Sequence, residues 1–397
     1  PELQPIADFL VADRRDFDKH EAVFLQVSPK HETLQAVFIH RTNRGQAAGG
    51  TRFWRYRNVE NFFRDGMRLS KGMTRKNALA GLWWGGGKGV IARHPNIDHT
   101  KRAIRQSIFQ EYGVMMSSLR GCYVTAEDVG TSTKDIDIIF SKTRFTTCIS
   151  PALGGSGNPS APTATGVVRG MEAALHFLDG STLNGKTVAV QGMGNVGQPL
   201  IQYLFEHGVK HVIASDINER TVARCKKQFA GHSLNACTAG RKDLSILETK
   251  CDILAPCATG AILSSRTIPK IQAKIICGAA NNQLEDSERD DKALFEHGVL
   301  YVPDFLVNRM GIVNCANEQY GYVNDDHFIL RHLDKKWDKS IYQMTLKVLL
   351  RAKEKSETPG TAAIRVADEL SLENHPIFGH RGQQIIDSLV GDAWHKS

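Results

Sequence analysis

Residues 187–197 read Thr187-Val188-Ala189-Val190-Gln191-Gly192-Met193-Gly194-Asn195-Val196-Gly197. The first five residues predict a buried strand, and the apolar spacing from Val196 onward predicts a helix. A Gly-x-Gly-x-x-Gly motif between a strand and a helix is typical of a dinucleotide site, because backbone N–H groups at the helix N-terminus bind the pyrophosphate. The alternative is a chance group of glycines in an α/β turn.

An acidic residue follows at the expected distance from this motif. A second strand is predicted at residues 211–214, and Asp216 lies 19 residues after Gly197. A carboxylate at that spacing accepts hydrogen bonds from the adenosine ribose hydroxyls. It also disfavours a 2′-phosphate, so NAD is the predicted cofactor, although the nearby Arg220 leaves use of NADP open.

An α/β rhythm continues after Asp216. Further strands are predicted at residues 252–255, 274–277 and 298–302, with helical patterns between them. Ligands of doubly wound sheets bind beyond the carboxyl ends of the strands. The loops that contain Ala258 and Asn282 fall at those ends.

A run rich in Gly, Pro and Ser at residues 150–159 predicts a linker. We therefore predict an N-terminal domain over residues 1–150 and a dinucleotide-binding domain over 151–345. The remaining residues, 346–397, are predicted to be a helical segment that packs back on the N-terminal domain.

The N-terminal domain contains a second glycine cluster, Gly85-Gly86-Gly87-Lys88-Gly89, among predicted strands and helices. Spacing excludes a P-loop, because Leu82 and Gly89 stand where that motif needs Gly and then Ser or Thr. Two interpretations remain. The cluster is either a glycine hairpin with a solvated lysine, or a backbone that leaves room for a ligand beside Lys88.

Composition limits the class of protein. Of 397 residues, 41% are hydrophobic and 23% are charged, as in soluble globular proteins, and no apolar run approaches a membrane span. We expect a cytoplasmic protein. The net charge of +8 is densest between Arg41 and Lys76, but no nucleic-acid module appears, so we expect ion pairs or anionic small molecules there.

The eight cysteines form no Cys-x-x-Cys pair, and no histidine cluster has zinc spacing. We therefore predict free thiols and no metal site.

Five stretches carry a family resemblance: residues 72–78, 85–88, 125–131, 155–160 and 191–196. In sequence and in order they resemble the glutamate/leucine/phenylalanine/valine dehydrogenase superfamily, most of all its leucine and phenylalanine branch. The resemblance implies an α/β fold of two domains separated by a cleft. The N-terminal domain would have a mixed sheet and assemble a homo-oligomer, and the second would be a Rossmann-type domain.

The resemblance also implies an activity, the NAD-dependent reversible oxidative deamination of an L-amino acid to a 2-oxo acid and ammonia. It implies that Lys88 is the general base that activates water, that Asp128 exchanges protons with the substrate nitrogen, and that Lys76 binds the α-carboxylate. The other implied substrate residues are Gly49, Gly50, Ala48, Ala126, Asn308, Ile312 and Cys315. The implied cofactor residues are Thr163, Gly192, Gly194, Asn195, Val196, Gly197, Asp216, Ala258 and Asn282.

One position bears on the substrate side chain. Glutamate enzymes of the family carry a lysine just before the Gly-Gly pair, where this chain has Ala48. Burying an unpaired carboxylate is costly, so we predict an apolar substrate, branched-chain or aromatic. The alternatives are a glutamate-type enzyme and a non-catalytic NAD-sensing protein of the same fold. Arg309 replaces a small residue of the family pattern, and we expect it to add charge near the site.

Overall fold

The computed structural model of the protein describes residues 4–13, 16–157, 159–321, 323 and 325–396. They form two compact units. Unit 1 comprises Pro1–Gly157, Cys315–Asn324 and Ala367–Ser397, and unit 2 comprises Asn158–Asn314 and Asp325–Val366. The expected boundary at residue 150 therefore lies a few residues before the observed one. Residues 346–366, expected to pack on the N-terminal domain, belong to unit 2 instead.

A five-stranded mixed sheet forms the centre of unit 1, as predicted. Its strands, in the spatial order β1-β2-β4-β3-β5, pair antiparallel between β1, β2 and β4 and parallel between β4, β3 and β5. They are β1 (Ala22–Val27), β2 (Leu34–Arg41), β3 (Ala47–Trp54), β4 (Gly85–Ala92) and β5 (Tyr123–Glu127).

Helices cover both faces of this sheet. The helices are α1 (Gln4–Ala12), α2 (Val59–Leu79), α3 (Arg102–Ser118) and α4 (Thr133–Phe140). Asn58 caps the N-terminus of α2, and the buried side chains of that helix (Phe62, Phe63, Met67) pack on Phe38 and Val90. Apolar side chains of α3 and α4, among them Phe109 and Ile139, form the core on the other face.

The glycine cluster is a strand in the interior of the sheet, so the hairpin interpretation is wrong. A Cβ at Gly86 would lie 2.0 Å from Thr74 Oγ1 on α2, and a Cβ at Gly87 would lie 2.6 Å from the ring of Tyr123. At Gly89 it would lie 2.2 Å from the hydroxyl of Tyr112. These glycines therefore admit a helix and two aromatic rings onto β4, rather than leaving open space for a ligand.

Unit 2 is a doubly wound parallel sheet, which confirms the Rossmann-type prediction. The strand order is β11-β10-β9-β6-β7-β8, and every pairing is parallel. Two halves of three strands meet between β6 and β9, which is the topological switch point where ligands of such folds bind. The strands are β6 (Thr187–Gln191), β7 (His211–Asp216), β8 (Leu234–Thr238), β9 (Ile253–Pro256), β10 (Ile275–Ile276) and β11 (Leu300–Tyr301).

The helices between these strands follow the predicted rhythm. They are α6 (Gly197–Glu206), α7 (Glu219–Gln228) and α8 (Arg289–Glu296). Helix α5 (Ser160–Asp179) precedes β6, and four helices follow β11: α9 (Asp304–Val307), α10 (Met310–Glu318), α11 (His327–Leu330) and α12 (Ile341–Lys355). Two further helices, α13 (Pro359–Ser371) and α14 (Arg381–Gly391), lead into the C-terminal part of unit 1. Arg75 of α2 holds this part through two hydrogen bonds to Asp368, at 2.9 and 3.0 Å.

Cys148 and Cys315 form a disulfide within unit 1, with their Cα atoms 5.6 Å apart. The prediction of free thiols is wrong for this pair, and the other six cysteines are free. The two residues are 167 positions apart, so no local spacing in the sequence indicates the bond.

Among the described residues, no group of three His, Cys, Asp or Glu side chains is arranged to hold a metal. No helix in the same part of the chain has the length and apolarity to cross a membrane.

Candidate active site

Lys88 and Asp128 come together in unit 1. Lys88 lies on β4 between β2 and β3, and it is only 4% exposed. Asp128 directly follows β5, which runs parallel to β3. The Lys88 ammonium nitrogen lies 3.0 Å from Asp128 Oδ2. The predicted proton-transfer groups therefore form an ion pair between buried Lys88 and partly buried Asp128, which are 40 residues apart in the chain and meet across β3.

A second cation, the guanidinium of Arg52, contacts the same oxygen of Asp128. Arg52 Nε donates to Asp128 Oδ2 at 3.0 Å. Burial raises the pKa of Asp128, but the charges of Lys88 and Arg52 and their hydrogen bonds outweigh burial, so the pKa ends below its ordinary value. Asp128 is therefore a carboxylate at neutral pH, able to accept a proton.

Gly49 and Gly50 lie on β3 against this pair. A Cβ at Gly50 would lie 2.8 Å from Asp128 Cβ and 2.3 Å from the carbonyl oxygen of Glu127. A Cβ at Gly49 would lie 2.0 Å from the carbonyl oxygen of Gly87 and 3.0 Å from Met73 Cγ. Both positions need glycine because backbone atoms occupy the space of a side chain.

Lys76 occupies the last turn of α2 and is half-buried. Met73 and Thr74, in the preceding turn, pack against Gly49 and Gly86. That turn of α2 therefore covers β3 and β4, the strand that carries Lys88. Met73 was not predicted as a site residue, although its position three residues before Lys76 puts both on one helix face.

Four apolar residues among the implied substrate residues, Ala48, Ala126, Ile312 and Cys315, are only partly brought together. Ala48 and Ala126 are 1% and 5% exposed and lie on the adjacent strands β3 and β5. Ile312 and Cys315 lie on α10, but Ile312 belongs to unit 2 and Cys315 to unit 1. The sequence predicts a free thiol at Cys315. The disulfide with Cys148 removes that thiol, so Cys315 has no free thiol to offer a substrate.

In unit 2, each glycine of the dinucleotide motif has its own physical requirement. Gly192 has a φ of +92°, which favours glycine in the tight turn after β6. A Cβ at Gly197 would lie 1.9 Å from the carbonyl oxygen of Gly192, so the start of α6 packs directly on the turn. A Cβ at Gly194 would meet nothing within 4 Å, which leaves an open cradle at the helix N-terminus beside Asn195 and Val196.

Asp216 is fixed at the carboxyl end of β7. Its Oδ2 accepts a hydrogen bond from the backbone nitrogen of Met193 at 2.7 Å, and its Oδ1 accepts one from Asn218 N at 2.9 Å. The carboxylate is thereby held against the glycine turn, where a ribose hydroxyl of a dinucleotide would lie.

The other predicted cofactor residues surround the carboxyl end of this sheet or the start of α5. Ala258 follows β9, and its Cβ would lie 2.7 Å from a Cβ at Gly192. Asn282 donates its backbone N–H to Asp304 Oδ2 at 2.9 Å. Thr163 is buried in the first turn of α5. Asn158, which precedes this helix, lies outside the described residues.

Asn308 supplies the clearest sign of a missing ligand. Its Nδ2 donates to Asn281 Oδ1 at 2.8 Å and to the carbonyl oxygen of Ala279 at 3.1 Å. Its Oδ1 is buried and, among the described residues, has no hydrogen-bond partner. A buried amide oxygen without a donor is costly, so it fits a site that a donor such as a carboxamide completes. With the cradle at Gly194 and the carboxylate of Asp216, the residues fit a nicotinamide dinucleotide.

Arg309 is expected from the sequence to add charge near the substrate, but the structure places its side chain in the interior. Its side chain is completely buried within unit 2, where its guanidinium donates to the carbonyl oxygen of Lys339. Burial lowers the pKa of Arg309 to about 9. The side chain is thus part of the interior of unit 2, which corrects the expectation that it adds charge near the substrate.

Comparisons with known proteins agree with this geometry. Residues 154–373 match the family model for Glutamate/Leucine/Phenylalanine/Valine dehydrogenase, and residues 25–145 match the Glu/Leu/Phe/Val dehydrogenase dimerisation domain. A leucine dehydrogenase from Geobacillus stearothermophilus is 42% identical over 355 residues, 89% of this chain and 90% of the relative. A valine dehydrogenase from Streptomyces albus is 38% identical over 89% of this chain and 93% of the relative.

A solved structure gives the same result. The crystal structure of L-tryptophan dehydrogenase from Nostoc punctiforme superposes with a TM-score of 0.75 at 34% identity, covering 93% of this chain and 98% of the other. Since one family model spans more than half of the chain and the relatives span nearly all of it, the chain belongs to the glutamate/leucine/phenylalanine/valine dehydrogenase family and is an amino-acid dehydrogenase.

Proposed function

We propose that the protein catalyses the NAD-dependent reversible oxidative deamination of an apolar L-amino acid to its 2-oxo acid and ammonia. The observation that carries the proposal is the ion pair of buried Lys88 and partly buried Asp128, 3.0 Å apart, beside the strand that holds Gly49 and Gly50. A non-catalytic NAD-sensing protein would have no need to withdraw these charges from water, because doing so is costly.

Each protein group has a defined task in this reaction. The bound nicotinamide supplies the acceptor for the hydride that leaves the substrate α-carbon. Lys88 acts here as the neutral amine, after its ammonium group has lost a proton to bulk water, and its Nζ then takes a proton from the water that attacks this carbon. The Asp128 carboxylate exchanges a proton with the substrate nitrogen. Lys76, at the end of α2, binds the α-carboxylate and so orients the substrate.

Ala48 supports an apolar side chain in the substrate. It is fully buried beside Gly49 and brings no cation to a side-chain carboxylate, so a glutamate substrate would bury its charge unpaired. Leucine, valine and tryptophan dehydrogenases among the relatives are consistent with this class. A glutamate-type enzyme is the alternative that Ala48 opposes.

The proposal is tested by the formation of NADH from NAD with a panel of L-amino acids. We expect turnover with leucine, valine, phenylalanine or tryptophan and a kcat/KM for glutamate at least about 100-fold lower, because an unpaired buried carboxylate costs several kcal/mol. Turnover of glutamate alone would contradict the proposed substrate class. No turnover with any of them would contradict the proposed activity.

Asp216 is expected to set the preference for NAD over NADP. A carboxylate held at the end of β7 repels a 2′-phosphate, and replacing Asp216 with serine removes that charge while retaining a hydrogen-bond acceptor for Met193 N. In the variant, we expect the ratio of kcat/KM with NAD to kcat/KM with NADP to fall about tenfold or more. An equal NAD:NADP ratio of kcat/KM in the wild type and in Asp216→Ser would show that a group other than Asp216 discriminates between the two cofactors.

Assembly and location complete the proposal. We propose a homo-oligomer, supported by the match of residues 25–145 to a dimerisation domain. We also propose a cytoplasmic protein, supported by six free cysteines, because reducing compartments keep thiols reduced. The Cys148–Cys315 disulfide is the observation that opposes this location.

A further inference from the structure

Arg52 lies between two carboxylates. It is on β3, two residues after Gly50, and its Nε donates to Asp128 Oδ2 at 3.0 Å. Its Nη1 donates to Asp65 on α2, at 3.1 Å to Oδ1 and 3.0 Å to Oδ2. One side chain thus connects the predicted proton-transfer carboxylate to a helix on the face of the sheet.

Asp65 is itself held in place from two sides. The hydroxyl of Tyr56 donates to Asp65 Oδ2 at 2.7 Å, and Arg68 Nη2 donates to Asp65 Oδ1 at 2.9 Å. The side chains of Arg52 and Asp65 are 18% and 12% exposed, so solvent screens them little, whereas Arg68 is 58% exposed. The anchor of Arg52 is therefore a half-buried network with fixed geometry.

We propose that Arg52 is a positioning residue for catalysis, fixed by Asp65 and Tyr56, which orients the Asp128 carboxylate and keeps it ionised beside Lys88. This inference rests on the proposed function for the role of Asp128. Two cations, Lys88 and Arg52, meet at one oxygen of Asp128. When Asp128 gains or loses a proton, Arg52 remains in place because Asp65 holds its other end.

The charges around Asp128 support this assignment. Lys88 from β4 and Arg52 from β3 contact Asp128, and its charge also acts on the hydroxyls of Tyr56 and Tyr123. Burial lowers the pKa of Arg52, but the negative charges of Asp128 and Asp65 outweigh burial, so the pKa ends above its ordinary value. Burial and then Asp65 raise the pKa of Tyr56 well above its ordinary value. Arg52 therefore remains a cation and the Tyr56 hydroxyl a donor while Asp128 exchanges a proton.

The competing explanation is that Arg52 only ties β3 to α2. Three variants separate the two explanations. Arg52→Gln removes the charge, Arg52→Lys keeps the charge but loses the donor geometry that reaches both carboxylates, and Asp65→Asn keeps Arg52 but loosens its anchor. Arg68→Ala is the matched control, since Arg68 also pairs with Asp65 but does not contact Asp128 in the described structure.

The primary measurement is the titration of the Asp128 carboxyl group by infrared spectroscopy of protein labelled with 13C-aspartate. Its band is assigned by its loss in Asp128→Asn. Removing a cation from a carboxylate raises its pKa, so we expect the Asp128 titration to move to higher pH in Arg52→Gln. We expect it to stay near the wild-type midpoint in Arg52→Lys, Asp65→Asn and Arg68→Ala.

Steady-state kinetics supply the second measurement. Since misplacing a reacting group by about 1 Å costs up to about 100-fold, we expect kcat to fall about 10- to 100-fold in Arg52→Gln, Arg52→Lys and Asp65→Asn. Arg68→Ala is expected to stay within about twofold of the wild type. Only Arg52→Gln should also shift the acidic limb of the kcat/KM profile for deamination to higher pH.

An unchanged Asp128 titration in Arg52→Gln would overturn the proposal, whatever happens to kcat. A fall in kcat that only accompanies a matching loss of thermal stability in all three variants would also overturn it, since a purely structural tie predicts that pattern. The infrared titration needs no turnover. A shifted titration in a protein that oxidises no amino acid would therefore contradict the proposed function, and with it the catalytic role of Arg52, while supporting the electrostatic effect of Arg52 on Asp128.

Discussion

Replacing Lys88 with alanine is expected to lower kcat for amino-acid deamination by about 10³-fold. Loss of a positioned general base typically costs about 10² to 10⁴-fold. The ammonium nitrogen lies 3.0 Å from Asp128 and the side chain is buried, so bulk solvent does not substitute for it. The KM for the dinucleotide should change little, because Lys88 lies in unit 1 and the glycine turn in unit 2.

Two comparisons distinguish a lost base from a damaged fold. Lys101→Ala, at an exposed lysine that precedes α3, should retain wild-type kcat. Ethylamine added to Lys88→Ala should restore part of the activity, with an effect that rises with pH as the free amine forms. A fall in kcat of less than about tenfold would remove Lys88 from the role of general base.

Replacing Gly197 with alanine is expected to destabilise unit 2 by about 3 kcal/mol or more. The new Cβ would lie 1.9 Å from the carbonyl oxygen of Gly192 and 2.9 Å from its carbonyl carbon. Both are backbone atoms at the junction of β6 and α6, so neither can move without shifting a strand or a helix. Urea unfolding followed by circular dichroism measures the effect, and a midpoint equal to that of the wild type would contradict it.

Gly194→Ala is the matched control, and its expected result is the opposite one. A Cβ at Gly194 would meet no atom within 4 Å, so the stability of the protein should not change. The methyl group would instead enter the cradle in which the pyrophosphate approaches the backbone, and the KM for the dinucleotide should rise about tenfold or more. Normal dinucleotide binding by Gly194→Ala would show that the pyrophosphate binds elsewhere.

The dinucleotide domain is predictable from the sequence because the residues that indicate it lie close together in the chain. A strand of β-branched and small residues, three glycines and an acid 19 residues later all lie within 30 consecutive positions. Backbone requirements of this kind do not depend on distant parts of the chain. The structure then assigned a separate cause to each glycine: a positive φ at Gly192, close packing at Gly197 and open space at Gly194.

The roles of Lys88 and Asp128 are predicted through the family resemblance rather than from local pattern. Nothing near Lys88 indicates Asp128 as its partner, because the two residues are joined by the pairing of β3 with β4 and β5. The glycines around Lys88 were interpreted as room for a ligand. Their neighbours, Thr74, Tyr112 and Tyr123, come from two helices and another strand, so their packing role was not visible in the sequence.

The sequence by itself determined the class of fold, the position of the dinucleotide turn and the residue types of the site, since these follow from hydrophobic periodicity, glycine placement and short motifs. Tertiary structure alone decided the partners. It joined Cys148 to Cys315, buried Arg309 within unit 2, and connected Arg52 to both Asp128 and Asp65. The physical reason is that ion pairs, disulfides and burial depend on distances in space, which strand order and helix packing set between residues far apart in the chain.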